Sequence, residues 1–381
     1  MIGYYAHHRG AGHVHRALTM AAQLHEPVTV LSSSPPPPGY TGRWVLLPLD
    51  HGDGDSEPGS DAAANGSLHW APLRSRGLTQ RMATISAWIA AAAPSAFVVD
   101  VSVEVALLAR LHGVPVVTMA QPGDRADAPH TLGYRASSAI IAAWPPSVDP
   151  LQVEADVASR VERVGAISRI RTQGTAAARI PNTVAVLGGF GDRGVSRLAT
   201  LVADARAALP GTIWTTLRGA SETEVARALR TNALVIAHCG QNALAEIAAS
   251  RIPAIIVAED RPHDEQRAMA AALAGSGAPV TVLDRAPHDW ARVVAATTAL
   301  DGGAWAEWVD GRAAERAAAI VARVASGASP AAAEQADGRP AQSAAAESLH
   351  ADGSPAHPGG TRPHAPQTGG ADLGDHDEGA A

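Results

Sequence analysis

Along most of its length the chain alternates short β-branched apolar runs with longer Ala-, Leu- and Arg-rich segments of helical period, and few architectures accept that alternation. Strand patterns cover Ile2–Tyr5, Val28–Leu31, Trp44–Leu47, Phe97–Asp100, Val114–Met119 and Ile140–Ala143. A second series covers Val184–Leu187, Ile213–Thr216, Leu234–Ala237, Ala254–Val257 and Val280–Leu283. Helical patterns between them include His13–Leu24, Leu78–Ala92, Val103–Leu111, Ser196–Leu209, Asn242–Ser250 and His263–Ala274. Strand–helix–strand repetition predicts parallel sheets covered on both faces, an α/β protein of two Rossmann-like halves.

The two series meet at "GAISRIRTQGTAAARIPNT", which has weak periodicity. The expected organisation is a first domain over 1–165, a linker over 166–182 and a second domain over 183–325. Residues 326–381 carry almost no large apolar side chain and are expected to be a disordered tail. The Gly/Asp/Ser-rich stretch 50–67 reads as a mobile loop.

With 381 residues and 46% apolar content the chain can fill two cores. A formal charge of −7 gives no reason to expect nucleic-acid binding. All 30 basic residues are arginine, so Schiff-base and phosphate-loop lysines are excluded. A GC-rich genome accounts for such replacement. One cysteine makes no internal disulfide, which fits a reducing compartment. Neither a signal-peptide pattern nor an apolar run of the ~18 residues that a membrane helix needs is visible, so a cytoplasmic location is expected. Peripheral contact with a membrane stays open.

Chemistry concentrates at the strand–helix turns. The first, "YYAHHRGAGHVHRAL", lines the turn with Gly10 and Gly12 and puts His13 at the mouth of the sheet. A dinucleotide fingerprint fails here, because His15 stands where Gly or Ala is needed and Ser32-Ser33-Ser34 replaces the acidic end of the second strand. His7, His8, His13 and His15 also suggest a metal, but the lysine that barrel-type metal enzymes often add is missing and the His-x-His pair sits on a helix start, so no metal site is expected. His7, His8 and His15 are read as surface or supporting polar residues, and His13 as a candidate general base. Asp100 ends a buried strand at the same edge; it either orients His13 or caps the helix beginning near Ser102.

In the second series Gly188-Gly189 follows a strand, a turn that lets backbone amides approach a phosphate. "VIAHCGQNALAEIAAS" places His238-Cys239-Gly240 between a strand and a helix, with the helix N-terminus at Gln241 and Asn242 facing the same crevice. Glu246, one turn in, suits sugar hydroxyls or is simply a solvated carboxylate. Glu265 and Gln266 stand at the next strand–helix junction. Cys239 has no visible base and reads as a packing residue.

"HCGQNALAE" resembles the HCGWNSxxE core of the signature box in UDP-dependent glycosyltransferases, and Glu265-Gln266 resembles its closing DQ. "GAGHVHRAL" and "FVVD" look like the family's Gly-x-Gly-His turn and the strand ending in its dyad aspartate. "EIAASRIPAIIV" is similar to the N-acetylglucosaminyltransferases of peptidoglycan synthesis. The resemblance, to GT-B glycosyltransferases with a family-28-type C-terminal domain, spans most of residues 1–325 in islands.

It implies two Rossmann-like domains facing a cleft and a metal-independent, inverting hexosyl transfer from a nucleotide sugar, a UDP-sugar by family preference, to an unknown acceptor hydroxyl. No cofactor is implied. His13 would be the base, oriented by Asp100, with Gly10 and Gly12 on the acceptor side. Gly188, Gly189, Gly240, Gln241 and Asn242 would hold the diphosphate, Glu246 the ribose, and Glu265 with Gln266 the donor sugar. Gln241 stands where the family has Trp, and Ala220 where its base-stacking Trp begins the box. Two other readings of the same fold are a nucleotide-sugar 2-epimerase and a non-catalytic nucleotide-sugar-binding relative.

Overall fold

A computed structural model describes residues 1–52, 59–172, 178–188 and 196–328. Gly189, six residues of the 50–67 loop (53–58) and the tail from 329 onward lie outside the described residues.

Among the described residues the first series forms β1 (Ile2–Ala6), α1 (Ala11–Ala21), β2 (Val28–Ser32), β3 (Arg43–Leu46), α2 (Arg76–Ala92), β4 (Ala96–Asp100), α3 (Val103–Leu111) and β5 (Val116–Ala120). It continues with β6 (Gly123–Asp124), α4 (Ala128–Ala136), β7 (Ala139–Ala142), β8 (Leu151–Gln152), α5 (Ala155–Ala158) and β9 (Val161–Arg163). The second comprises β10 (Ile180–Leu187), α6 (Arg197–Ala208), β11 (Ile213–Leu217), α7 (Glu222–Thr231), β12 (Asn232–His238), α8 (Gln241–Ala249) and β13 (Ala254–Val257). After a 3₁₀ turn at Pro262–Asp264 come α9 (Glu265–Ala274), β14 (Val280–Leu283), α10 (Trp290–Thr298) and α11 (Ala313–Ala325).

Helix starts follow local chemistry. Ser75, Ser102, Asp127, Ser196 and Asp289 each accept a backbone N–H of the first turn, and Ser221 with Glu224 forms a reciprocal capping box. Ser102 is thus the cap of α3, which leaves Asp100 free for another role.

The first sheet runs β3-β2-β1-β4-β5-β7-β9 and the second β11-β10-β12-β13-β14, all pairs parallel. Each order reverses direction once, between β1 and β4 in the first sheet and between β10 and β12 in the second. Ligands of open α/β sheets sit in the crevice at the carboxyl ends of such strand pairs. Ala6 lies beside Asp100 in the first sheet and Leu187 beside Ala237 in the second, so both crevices are fixed by register.

Three packing features hold the halves. One apolar cluster runs from Ile140, Trp144 and Tyr134 through Ala166 and Ile170 into Val235, Ile247 and Trp305. Helix α11 returns to the first sheet and buries Ala317, Ile320 and Val321 with Ile2, Val98 and Met119. The segment expected as a linker contributes Ala166, Ile167 and Ile170 to buried clusters. Trp305 is fully buried, donates Nε1–H to the Ile252 carbonyl at 2.8 Å and meets Trp308 edge-on. Trp305→Ala should cost about 3–5 kcal/mol. Urea unfolding would register this as a lower midpoint at an unchanged slope, and a loss below about 1 kcal/mol would mean that the site collapses around the void.

Candidate active site

Asp100 has no solvent exposure and is ringed by donors. Arg16 grips it with a fork, Nε to Oδ2 at 2.8 Å and Nη2 to Oδ1 at 2.6 Å. Tyr4 donates its hydroxyl to Oδ2 at 3.3 Å, and His13 Nδ1 lies 3.0 Å from Oδ1. Burial alone would raise the carboxyl's pKa; the Arg16 charge and the His13 contact outweigh it and hold it below the usual aspartate range. An ionised Asp100 only accepts, so His13 offers it Nδ1–H and turns Nε2 to the opposite side of the ring. Arg16 Nη2, 3.4 Å from the same Nδ1, is then a neighbour rather than a donor to it.

Arg16 also reaches the other half, where Nη1 donates to Gln241 Oε1 at 2.7 Å. The Gln241 Nε2 on the same amide is buried and has no hydrogen-bond partner among the described residues. Helix α8 starts at Gln241 behind Gly240, and α1 starts at Ala11 behind Gly10; neither has a side-chain cap. Helices α5, α9 and α11 are uncapped too, so the distinguishing feature is that α1 and α8 meet. A Cβ on Gly12 would come within 2.0 Å of Asn242 Nδ2. Two positive helix ends and a guanidinium therefore converge on one point, an arrangement suited to an anion.

The Gly240 turn is built from within. His238 Nδ1 accepts the Gly240 N–H at 3.0 Å, and burial pushes this imidazole down to about 4, so it is neutral. Gln266 Oε1 accepts from Cys239 N at 3.1 Å and Glu259 N at 3.0 Å, which joins the ends of β12 and β13. Gly188 fits against Leu198 and faces the His238 ring. Cys239 is buried and burial raises its thiol, consistent with packing. The Glu259 carboxylate occupies the start of α6, taking Leu198 N at 2.8 Å and Ser196 Oγ at 2.6 Å. An anion in this crevice is thereby directed to α8.

Glu246 is neither solvated nor free. It is 5% exposed and accepts from Arg169 Nε at 2.6 Å, while Arg169 Nη1 lies 3.2 Å from His15 Nε2. Burial pushes the Glu246 carboxyl up, and Arg169 opposes that. Glu265 is more open, with Oε2 3.9 Å from Arg125 Nη2 of the first half. His7 and His8 stack on each other near Asp50, whose carboxylate pairs with Arg81 at 3.1 Å.

Sequence reasoning missed Arg16 and Arg169. Arg16 had a usable signal, since it lies one turn after His13 on the same face of α1. Arg16→Met should destabilise the protein by about 3–5 kcal/mol, because it strands Asp100 without its cation. Urea unfolding measures this; a loss under about 1 kcal/mol would mean that His13 and Tyr4 suffice for Asp100. The sign with pH follows from the lowered pKa. The pair's stabilisation is complete above the ordinary aspartate value of 3.8 and is lost as pH falls through the lower folded value.

No family model matches the chain, and no curated protein matches it. Solved structures do. Acinetobacter baumannii MurG superposes with a TM-score of 0.54 at 15% identity, over 84% of this chain and 99% of that one. Phytolacca americana UGT2, complexed with UDP-2-fluoro-glucose and pterostilbene, gives 0.52 at 14%, over 86% and 94%. The spinosyn rhamnosyltransferase SpnG, complexed with thymidine diphosphate, gives 0.52 at 17%, over 88% and 99%. The chain has the fold of these GT-B glycosyltransferases: two parallel-sheet halves, with the α1 turn that carries His13 meeting the start of α8.

Proposed function

We propose that the chain transfers a hexosyl group from a nucleoside diphosphate sugar, preferentially a UDP-sugar, to an acceptor hydroxyl, with inversion at the anomeric carbon. The observation that carries this is the unpartnered Gln241 Nε2 at the uncapped start of α8, in contact with the turn that presents His13. UGT2 with its UDP-sugar analogue and SpnG with thymidine diphosphate, which share the fold, support a nucleoside diphosphate there.

In this reading residues 1–165 form the acceptor side, 166–182 the connection and 183–325 the donor side, with α11 returning to the first sheet. His13 Nε2 removes the acceptor proton as the oxygen attacks the anomeric carbon, and Asp100 stabilises the imidazolium. The departing diphosphate gathers the amides of α8 and the Gln241 side chain, with Gly188 beside it. Glu246 exchanges Arg169 for the ribose hydroxyls, and Glu265 and Gln266 border the sugar. Because Asn242 lies against Gly12, a diphosphate reaches those amides only when the α1–α8 contact opens. Donor binding is therefore coupled to breaking the Arg16–Gln241 bond.

A thermal-shift panel of UDP, dTDP, GDP, ADP and their sugar conjugates tests the donor site, with stabilisation expected from uridine compounds first. No shift with any of them would sink the reading. His13→Ala should lower turnover by roughly 10²–10⁴-fold and leave donor affinity intact. Glu246→Ala should weaken donor binding most. If both variants lost binding equally, the assigned division of roles would be wrong.

A further inference from the structure

Four groups that play no part in the chemistry above crowd one point between the halves: His69, Asp127, His130 and His263. Three come from two places in the first half, His69 from one segment and Asp127 with His130 from the start of α4, and one comes from the second. Asp127 caps α4 and accepts the His130 N–H at 2.8 Å, so both side chains lie on one helix face. His69 is held by Glu104, whose Oε1 accepts the N–H groups of His69 and Trp70 at 2.8 and 3.0 Å. His263 belongs to the 3₁₀ turn before α9.

We propose that His69, Asp127, His130 and His263 form a closed site for a zinc-class divalent transition metal that clasps the two halves beside Glu265. The ligand atoms all lie within 4.8 Å of one another. His69 Nε2 is 3.2 Å from Asp127 Oδ2, His263 Nδ1 is 3.5 Å from the same oxygen, and His130 Nδ1 is 2.7 Å from Oδ1. Ligands ~2.0–2.1 Å from a tetrahedral zinc ion stand about 3.3 Å apart, so the His69 and His263 edges to Oδ2 are already near that length, while His130 now faces the other oxygen of the carboxylate. Three imidazoles and one carboxylate suit zinc or cobalt rather than magnesium or calcium, and four protein ligands leave no open position. The site is thus a structural clasp rather than a second reaction centre.

The backbone at His263 is a second observation. His263 and Asp264 are consecutive non-glycine residues in the left-handed region, with φ of 58° and 52°, a strained conformation that persists where its surroundings demand it. Gly123, itself at φ 101°, leaves only enough room for the His263 carbonyl; a Cβ there would be 2.0 Å from that oxygen. The turn is pinned by the first half so that its imidazole points at Asp127.

Arg125 opposes the site. Its Nη1 lies 3.1 Å from His130 Nε2, the nitrogen that must carry the proton once Nδ1 holds a metal. Arg125 therefore has to turn that group away, and its charge weakens the metal.

The test is direct metal analysis of the full chain, stripped with chelator, reloaded with Zn²⁺ and dialysed, alongside a Co²⁺ titration read in the visible. One retained equivalent with the intense absorption of tetrahedral cobalt is expected. His69→Ala and His263→Ala should each weaken it roughly 10–100-fold or more, while Arg125→Leu should tighten it. Both His variants should melt at the temperature of the metal-free parent, which separates loss of metal from loss of fold. His350, His357, His364 and His376 lie near the C-terminus, and His7, His8 and Asp50 stand together in the first half; metal that survives unchanged in both His variants would belong to one of these groups and overturn the proposal. So would weak octahedral cobalt absorption, or no retained metal. None of these readouts depends on sugar transfer.

Discussion

A carboxylate with no exposure to water constrains this molecule more than any other group. Asp100 must stay ionised to orient His13, and in a fully buried position that state exists only because a guanidinium shares the burial. Arg16 therefore has to be at that point of α1, one turn past His13, and Tyr4 must supply its hydroxyl from β1. Strand register places Asp100 level with Ala6, just before the turn that leads into α1. Sheet order, helix position and the candidate dyad are thus parts of one electrostatic requirement.

The same guanidinium carries the requirement across the crevice. Its third nitrogen holds Gln241 at the start of α8, where a Trp stands in the resembling family's box. A Trp has no acceptor to offer Arg16, whereas the Gln carbonyl accepts its N–H and turns the amide N–H₂ inward without a partner. Gln241 thus supplies a polar link to Arg16 that a Trp could not make.

Much of this arrangement was legible in the sequence, for a physical reason. Buried parallel strands such as Val116–Ala120 and Ala254–Val257 read as apolar runs because both faces are covered, and α3 ends where its pattern ends. That His13 and Asp100 lie side by side was legible because Asp100 ends a strand and His13 follows one on the same edge of the first sheet. The partners of Glu246 and the metal clasp were not legible, since Arg169, His69 and His263 come from irregular segments whose contacts depend on how the halves meet. The 166–172 stretch has weak period because its Ile residues face cores on different sides of the chain. Helix α11 likewise gave no hint that it belongs to the first sheet, because an Ala-rich apolar stripe does not name its partner.

An all-arginine chain also explains why so many of these joints are forks. Arg16 binds two oxygens of Asp100 and one of Gln241; Arg169 spans Glu246 and His15; Arg81, almost fully buried, donates to Tyr5, Ser33 and the Pro48 carbonyl. Arg179 collects the carbonyls of Leu229, Asn232 and Ser250 at the base of the second sheet. A lysine ammonium is a point charge and cannot meet a carboxylate edge-on while reaching a third partner in the same plane. Whatever genomic bias removed lysine, the fold has come to depend on the geometry of its replacement. Restoring lysine at Arg16 would keep the charge beside Asp100 but give up the planar fork that ties the dyad to α8.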